Sequence, residues 1–443
     1  MIKAFQNALK IPELRQRIIF TALFLIVYRL GAHITLPGID DQALEAFFRQ
    51  LMERGGNVIG FIDLFSGGAF SQMTIFALGI QPYISASIIM QLLAVIVPSL
   101  EKLSKEPDGR KKITQYTRYG TVILSLIQGI TISIVLRNPG QITGQAEQVV
   151  TNPDLWWHFL VVLTLTAGTS FVMWLGEQIT ERGIGNGISL IITVGIIAGL
   201  PGGITTVFNN LFSNPSFGIP QLVLLTGLVI VAVMGTVFIT LSVRRIPVQY
   251  GRQIRGRRVF GGQTTHLPLR VNAAGMIPII FAVTLIQFPT TVLNFLPRDW
   301  GWVVGASALF SPGSPLYLIV YALLIVGFTY FYTAVQINPV QMAEDLQKYG
   351  GFIPGIRPGR QTADYINTTL TRITLPGALF LAAIAVIPII ITSRLGIGNM
   401  VEGASVLIVV GVVLDTMSQI ESYLTTRHYE GFLKDRKLRN RRR

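Results

Sequence analysis

The sequence predicts an all-α integral membrane protein with ten transmembrane helices, and three observations carry that expectation. Half of the 443 residues are hydrophobic, only 13% are charged, and the mean hydropathy is +0.54. No ordinary soluble domain of this length has such a composition. The apolar residues also fall into ten stretches of about 20 residues, the length that crosses a hydrocarbon core of about 30 Å. Finally, the basic residues between those stretches alternate in density along the chain.

In order, the spans are expected near residues 16–34, 73–97, 118–136, 155–176, 184–200, 220–243, 271–296, 314–335, 373–392 and 403–424. The first is too long for a cleavable signal and lacks a convincing small-residue cleavage site, so it is read as a span. The N-terminal segment, the C-terminal tail and every second connection hold 30 of the 36 Lys and Arg residues, counting with them Arg17 and Arg118 at the edges of their spans. The other five connections hold 5, and Arg29, inside the first span, completes the count. Because basic residues are retained on the cytoplasmic side, this split predicts that both termini are cytoplasmic. It also accounts for much of the net charge of +14 without invoking nucleic acid.

One apolar stretch departs from the pattern. Val58 to Val97 is twice the length of a span, and Ser66, Gly67, Gly68, Ser71 and Gln72 interrupt its middle. Val58 to Phe65 would rise only about 12 Å as a helix, so it can enter a membrane but not cross it. Met73 to Val97 is long enough to cross. The pair is therefore expected to form a half-helix, a glycine hinge and a full span. Irregular backbone at that depth survives only inside protein or beside a water-filled cavity, and a cavity is the expectation here.

Other chemistry is sparse. The chain has no cysteine, which excludes disulfides and thiolate chemistry, and His33, His158, His266 and His428 are too dispersed to suggest a metal site. No GxSxG, HExxH or GxxxxGK[ST] pattern occurs, so no catalytic residue, cofactor or nucleotide site is expected and transport energy must come from a partner. GIGNGIS, from Gly183 to Ser189, is expected to start the fifth span tightly against its neighbours. Asp415 is the one acidic residue well inside a span, and a structural role in the bundle is favoured over a functional one. This scarcity of mid-membrane carboxylates argues against the competing class, a secondary transporter of small solutes.

Two connections are larger than topology requires. Arg244 to Arg270 holds seven arginines and no acidic residue, with Tyr250 and Phe260 interleaved; Val335 to Arg372 contains GFIPGIRPGRQTADYI. Both suit either contact with anionic lipid headgroups or docking of a large anionic partner, such as ribosomal RNA or the acidic face of a motor protein.

Five strings carry a resemblance: ALGIQPYISASIIMQLL (77–93), GRKKITQYTRYGT (109–121), ITERGIGNGISLII (179–192), QTTHLPLRVNAAGMIPIIF (263–281) and GIRPGRQTADYI (355–366). Together they resemble the SecY family, central subunits of bacterial Sec protein-translocation channels. Gln81 stands where methionine is more often expected. The resemblance implies two inverted five-helix halves around a central pore, residues 1–200 and 201–430, with a basic cytoplasmic tail at 431–443. It makes the piece near 58–72 a re-entrant plug, with Phe61, Ile62, Leu64 and Phe65 beneath a constriction and Gly67 and Gly68 at the hinge.

The constriction implied by the family is an aliphatic ring of Ile84, Ile88, Ile188, Ile192, Ile280 and Ile408. A greasy ring without fixed charge suits a pore that passes a chain and gates by dewetting. A lateral exit between spans two and three and spans seven and eight is implied. Gln91, Gln128 and Gln287 are candidates for its seam, or for amides that merely satisfy nearby backbone. Arg257, Arg258 and Arg357 match partner-docking positions. The implied partners are SecE, SecG, the SecA motor ATPase, the ribosome, signal peptides with their nascent chains, and membrane lipid, in a hetero-oligomer of the bacterial inner membrane.

Overall fold

A computed structural model describes residues 11–53, 63, 66–106, 108–137, 149–150, 153–213, 218–250, 253–255, 258–260, 264–295, 303, 305–306, 309–310, 314–395 and 403–440. The chain forms two compact units, one of residues 1–215 with 412–443, the other of residues 216–411. The first contains α1 (Pro12–Gly31), α2 (Asp41–Glu53), α3 (Gln81–Ile96), α4 (Pro98–Lys105), α5 (Gly109–Arg137), α6 (Leu155–Arg182) and α7 (Gly187–Ser213). The second contains α8 (Ile219–Leu241), β1 (Val243–Tyr250), β2 (Gln253–Arg255), β3 (Arg258–Phe260), β4 (Thr264–Arg270), α9 (Ile277–Phe295), α10 (Pro315–Gln336), α11 (Pro339–Lys348), β5 (Gly351–Phe352) and α12 (Arg360–Leu395). A last helix, α13 (Gly403–Asn440), begins in the second unit and continues into the first.

Each of the ten expected spans overlaps a helix, α1, α3, α5 to α10, α12 or α13, though not over its full length. Among the described residues, seven helices are long and apolar enough to cross a membrane unaided, and α3 with α4 makes an eighth if that bent pair is one span. The shortfall has local causes. Helix α1 carries Glu13, Arg15, Arg17 and Arg29, and the apolar part of α9 is the short stretch Ile277–Ile286. The crossing helices carry their apolar residues outward: on α8, Val231, Met234 and Phe238 are all exposed. Such a surface is tolerable only against lipid or another apolar partner. Many hydroxyls within the spans return to the preceding turn, as Thr121 to Thr117 O, Thr236 to Ala232 O and Thr333 to Thr329 O, which satisfies them in an apolar setting; the buried hydroxyls of Thr166 and Thr169 on α6 are exceptions.

The second expected span is corrected. Residues 73–80 are turns, and the helix begins only at Gln81. Sixteen residues of α3 rise about 24 Å, too short to cross alone. It then breaks at Val97 (φ −96°, ψ 112°), since a residue before proline is pushed out of the helical region, and Pro98 starts α4 at a bend of 106°. Residues 73–75 instead pair with the segment that follows α1. The Leu36 N–H donates to Met73 O (3.0 Å), the Ile75 N–H donates to Ile34 O (2.9 Å), and Thr35 and Thr74 form an isolated bridge.

The turn between α6 and α7 is packed as its glycines suggested. A side chain at Gly187 would strike the Gly176 carbonyl. Thr21 Oγ1 of α1 accepts from the Ile184 N–H (3.0 Å), and Gln419 Oε1 of α13 accepts from the Gly185 N–H (3.0 Å). Leu14, Ile184 and Ile420 close a small core there, and Arg17 lies over the Tyr423 ring at 5.3 Å.

Candidate functional site

The broken stretch is built from the glycine hinge upward. Gly67 and Gly68 both hold left-handed backbone (φ 69° and 84°), which glycine adopts without steric cost. The turn they make is tied to itself. Ser66 Oγ donates to Asp63 O (2.9 Å) and accepts from the Phe70 N–H (3.0 Å), while Asp63 Oδ1 accepts from the Ser71 N–H (2.7 Å). It is also tied to α1: Tyr28 Oη donates to Ser66 O (3.1 Å) and Arg29 Nη1 to Gly67 O (2.9 Å).

Most of residues 69–80 are then buried inside protein, although Gln72 is exposed. Ala69, Met73, Thr74, Phe76, Ala77 and Ile80 are all almost fully covered. Met73, Ala77 and Leu78 share a core with Leu44, Phe47 and Phe48 of α2, Leu136 of α5, and Trp157, Val161 and Leu165 of α6. Phe76 stacks between Tyr28 and Phe171, with centroids 6.0 Å from each. Helix α6 approaches so closely that a Cβ on Gly168 would collide with the Ile75 carbonyl. Of the expected half-helix before the hinge, Phe61, Ile62, Leu64 and Phe65 lie outside the described residues.

The isoleucines occupy buried helix faces. Ile84 and Ile88 stand one above the other on α3, 7% and 4% exposed. Ala86, about 200° around the helix, meets Gly120 of α5, so the isoleucine face points away from α5. On α7, Ile192 is fully buried, and Ile188 is half-buried with its Cγ1 against Gly176 of α6. In the second unit, Ile280 near the start of α9 is 6% exposed and Ile408 on α13 is fully buried. Gly411, one turn beyond Ile408, packs on Met276, one turn before Ile280.

Of the seam amides, Gln91 Nε2 donates to Ser87 Oγ within its own helix (3.1 Å), and Gln128 is half-buried on α5. The Gln287 side chain lies outside the described residues. Helix α5 is instead joined to α6 by an ion pair. Arg118 Nε and Nη2 meet Glu177 Oε1 and Oε2 at 2.9 and 2.8 Å, the two-pronged geometry in which Arg–carboxylate pairs are strongest.

The two large connections of the second unit form one body, which the sequence did not suggest. Strands β1 and β4 pair antiparallel, with Ile246 opposite Leu267 and Val248 opposite Thr265, and β5 adds through Gln249↔Phe352 and Tyr250↔Gly351. The sheet order is β4-β1-β5, and β2 and β3 form a separate two-stranded ladder. Ile246, Val248 and Leu269 turn inward onto Ile353, Ile366 and Leu370. Arg245, His266 and Arg270 remain exposed, as does Arg357 in the turn that follows β5. Arg257 and the Arg258 side chain lie outside the described residues. Among the described residues, no three His, Asp or Glu side chains gather as a metal site.

These features have counterparts among known proteins. A SecY family profile matches residues 74–417. The translocase subunit SecY of Halalkalibacterium halodurans is 44% identical over 98% of this chain and all of its own length. That of Escherichia coli K12 is 45% identical, over 96% of this chain and 95% of its own. The chain belongs to the SecY family.

Solved structures carry the same fold at lower identity. A protein-conducting channel superimposes with a TM-score of 0.61 at 19% identity, covering 92% of this chain and 91% of that one. A SecY whose plug domain stabilises the closed state of its channel gives 0.60 at 18%, with the same coverage. Sec61 in a canine ribosome-channel complex gives 0.54 at 18%, again covering 92% and 91%. This SecY-family chain is therefore a multi-pass membrane protein and a protein-conducting channel, a translocase subunit rather than an enzyme. Sequence reasoning missed two contributors to its hinge, Tyr28 and Arg29. The available signal was Arg29 itself, a charge inside an apolar span that is costly unless it has a partner.

Proposed function

We propose that this channel passes unfolded secretory polypeptides across the bacterial plasma membrane, with both termini cytoplasmic, and releases transmembrane segments sideways into lipid. Its two halves are residues 1–200 and 201–430, with 431–443 a basic tail. Ile84, Ile88, Ile188, Ile192, Ile280 and Ile408 form the constriction. The segment around Phe61, Ile62, Leu64 and Phe65 plugs it and pivots at Gly67 and Gly68, while Gln91, Gln128 and Gln287 line the lateral seam. SecE and SecG are its subunit partners, and signal peptides, nascent chains and lipid its other contacts. Arg257, Arg258 and Arg357 engage the SecA motor or the ribosome; the fold's likeness to a Sec61 channel in a ribosome-channel complex supports that docking.

The observation that carries this reading is the broken stretch. A pair of left-handed glycines is anchored in protein at the mouth of a short apolar segment, in a chain of SecY lineage. The test is ion conductance of the purified complex in planar bilayers. The intact channel is expected to be closed at rest, and the channel lacking residues 60–70 is expected to leak. Unchanged conductance in the deletion variant refutes the plug.

A further inference from the structure

Arg29 is a half-buried arginine in the last turn of an apolar helix, and it follows a tyrosine that is 1% exposed. These consecutive side chains donate to consecutive carbonyls, Tyr28 to Ser66 and Arg29 to Gly67. Behind Gly67 there is no slack: a Cβ there would stand 2.7 Å from Gly195 Cα of α7 and 3.0 Å from Arg29 Nη1. The turn these carbonyls belong to is closed by Asp63, which binds both Ser66 and Ser71. A pull on the chain at Asp63 is therefore delivered directly to the two bonds from α1.

We propose that Tyr28 and Arg29 are positioning residues that latch the root of the re-entrant segment to α1, so that opening the channel requires their two hydrogen bonds to break or stretch. The proposal rests on the plug reading above. It also gives this arginine at the end of α1 a role: its guanidinium is held by Gly67 O where it stabilises the closed channel. On the hinge side the acceptors are backbone atoms, so substitutions of Ser66 that preserve the turn leave the latch in place.

The test uses the whole channel complex with Tyr28→Phe, Arg29→Gln and Arg29→Lys, beside the channel lacking residues 60–70. Tyr28→Phe keeps the ring stacked on Phe76 and removes one hydroxyl; losing one such bond is expected to shift the open-to-closed ratio roughly two- to tenfold. Arg29→Gln is expected to raise idle conductance at least as much, and Arg29→Lys to restore part of the closure. Both Tyr28→Phe and Arg29→Gln should also export a reporter with a weakened signal sequence better than the parent does. A merely structural role predicts the reverse: lower abundance and poorer export without leak. Leak in the deletion variant but not in Tyr28→Phe or Arg29→Gln overturns the latch and leaves the plug standing. A deletion variant that stays closed overturns both. Should Arg29→Gln fail to assemble, the isosteric Tyr28→Phe decides alone.

Discussion

Gly67 and Gly68 are adjacent, share left-handed backbone, and differ in what surrounds them, so alanine at each separates conformational strain from packing. An L-residue in that region costs about 1–2 kcal/mol. Gly68 has nothing within 4 Å of the place its Cβ would take, so Gly68→Ala should cost that amount and no more. At Gly67 the new methyl would stand 2.7 Å from Gly195 Cα and 3.3 Å from Gly195 O, and the first of these must open by about 0.7 Å to reach an ordinary 3.4 Å contact. Both obstructions are helix backbone, which cannot rotate away as a side chain would. Overpacking of this kind adds about 1–3 kcal/mol, bringing Gly67→Ala to about 2–5 kcal/mol in total. Thermal unfolding of the detergent-purified complex, followed by tryptophan fluorescence, reads the difference. Equal destabilisation by the two variants would refute the close approach of α7 to the hinge.

Other expectations follow from individual contacts. Arg118→Gln should cost about 1 kcal/mol, a modest figure because Arg118 is 47% exposed while Glu177 is 13% exposed. A double-mutant cycle with Glu177→Gln checks it, and strict additivity would mean the pair is uncoupled. Leu269→Ala empties part of the core beneath the β1–β4 sheet, where Leu269 is 2% exposed, and should cost about 3 kcal/mol. Its readout is faster tryptic cleavage within 244–270 with the helical circular dichroism unchanged. Arg357→Glu is expected to reduce motor-driven export sharply while membrane assembly remains normal. Wild-type export by that variant would count against docking at the turn after β5.

Most of the helical spans were legible because burying an unpaired backbone in lipid is prohibitive wherever a long apolar run occurs, whatever its neighbours are. The charge alternation needs no tertiary structure either, since each lysine or arginine favours one side of the membrane independently of the fold. The glycine interruption at 66–72 likewise announced a left-handed turn from backbone freedom alone. None of these inferences needed to know which residues meet.

What composition left open depends on partners remote in the chain. Residues 73–80 are as apolar as a helix, yet they are turns: Leu36 and Ile34 bond to Met73 and Ile75, and Gly168 of α6 lets the Ile75 carbonyl approach closely. The arginine-rich connection looks like a solvated loop until two residues near 351 add a strand and Ile366 and Leu370 supply a floor. Arg29 looked like one more basic residue until the carbonyl of Gly67 stood 2.9 Å away. Hydropathy and charge are properties each residue carries alone, so they survive in the linear chain. A hydrogen bond between residues 38 positions apart exists only after the chain has closed on itself, so tertiary structure alone decided which apolar stretch is a helix and which is a turn.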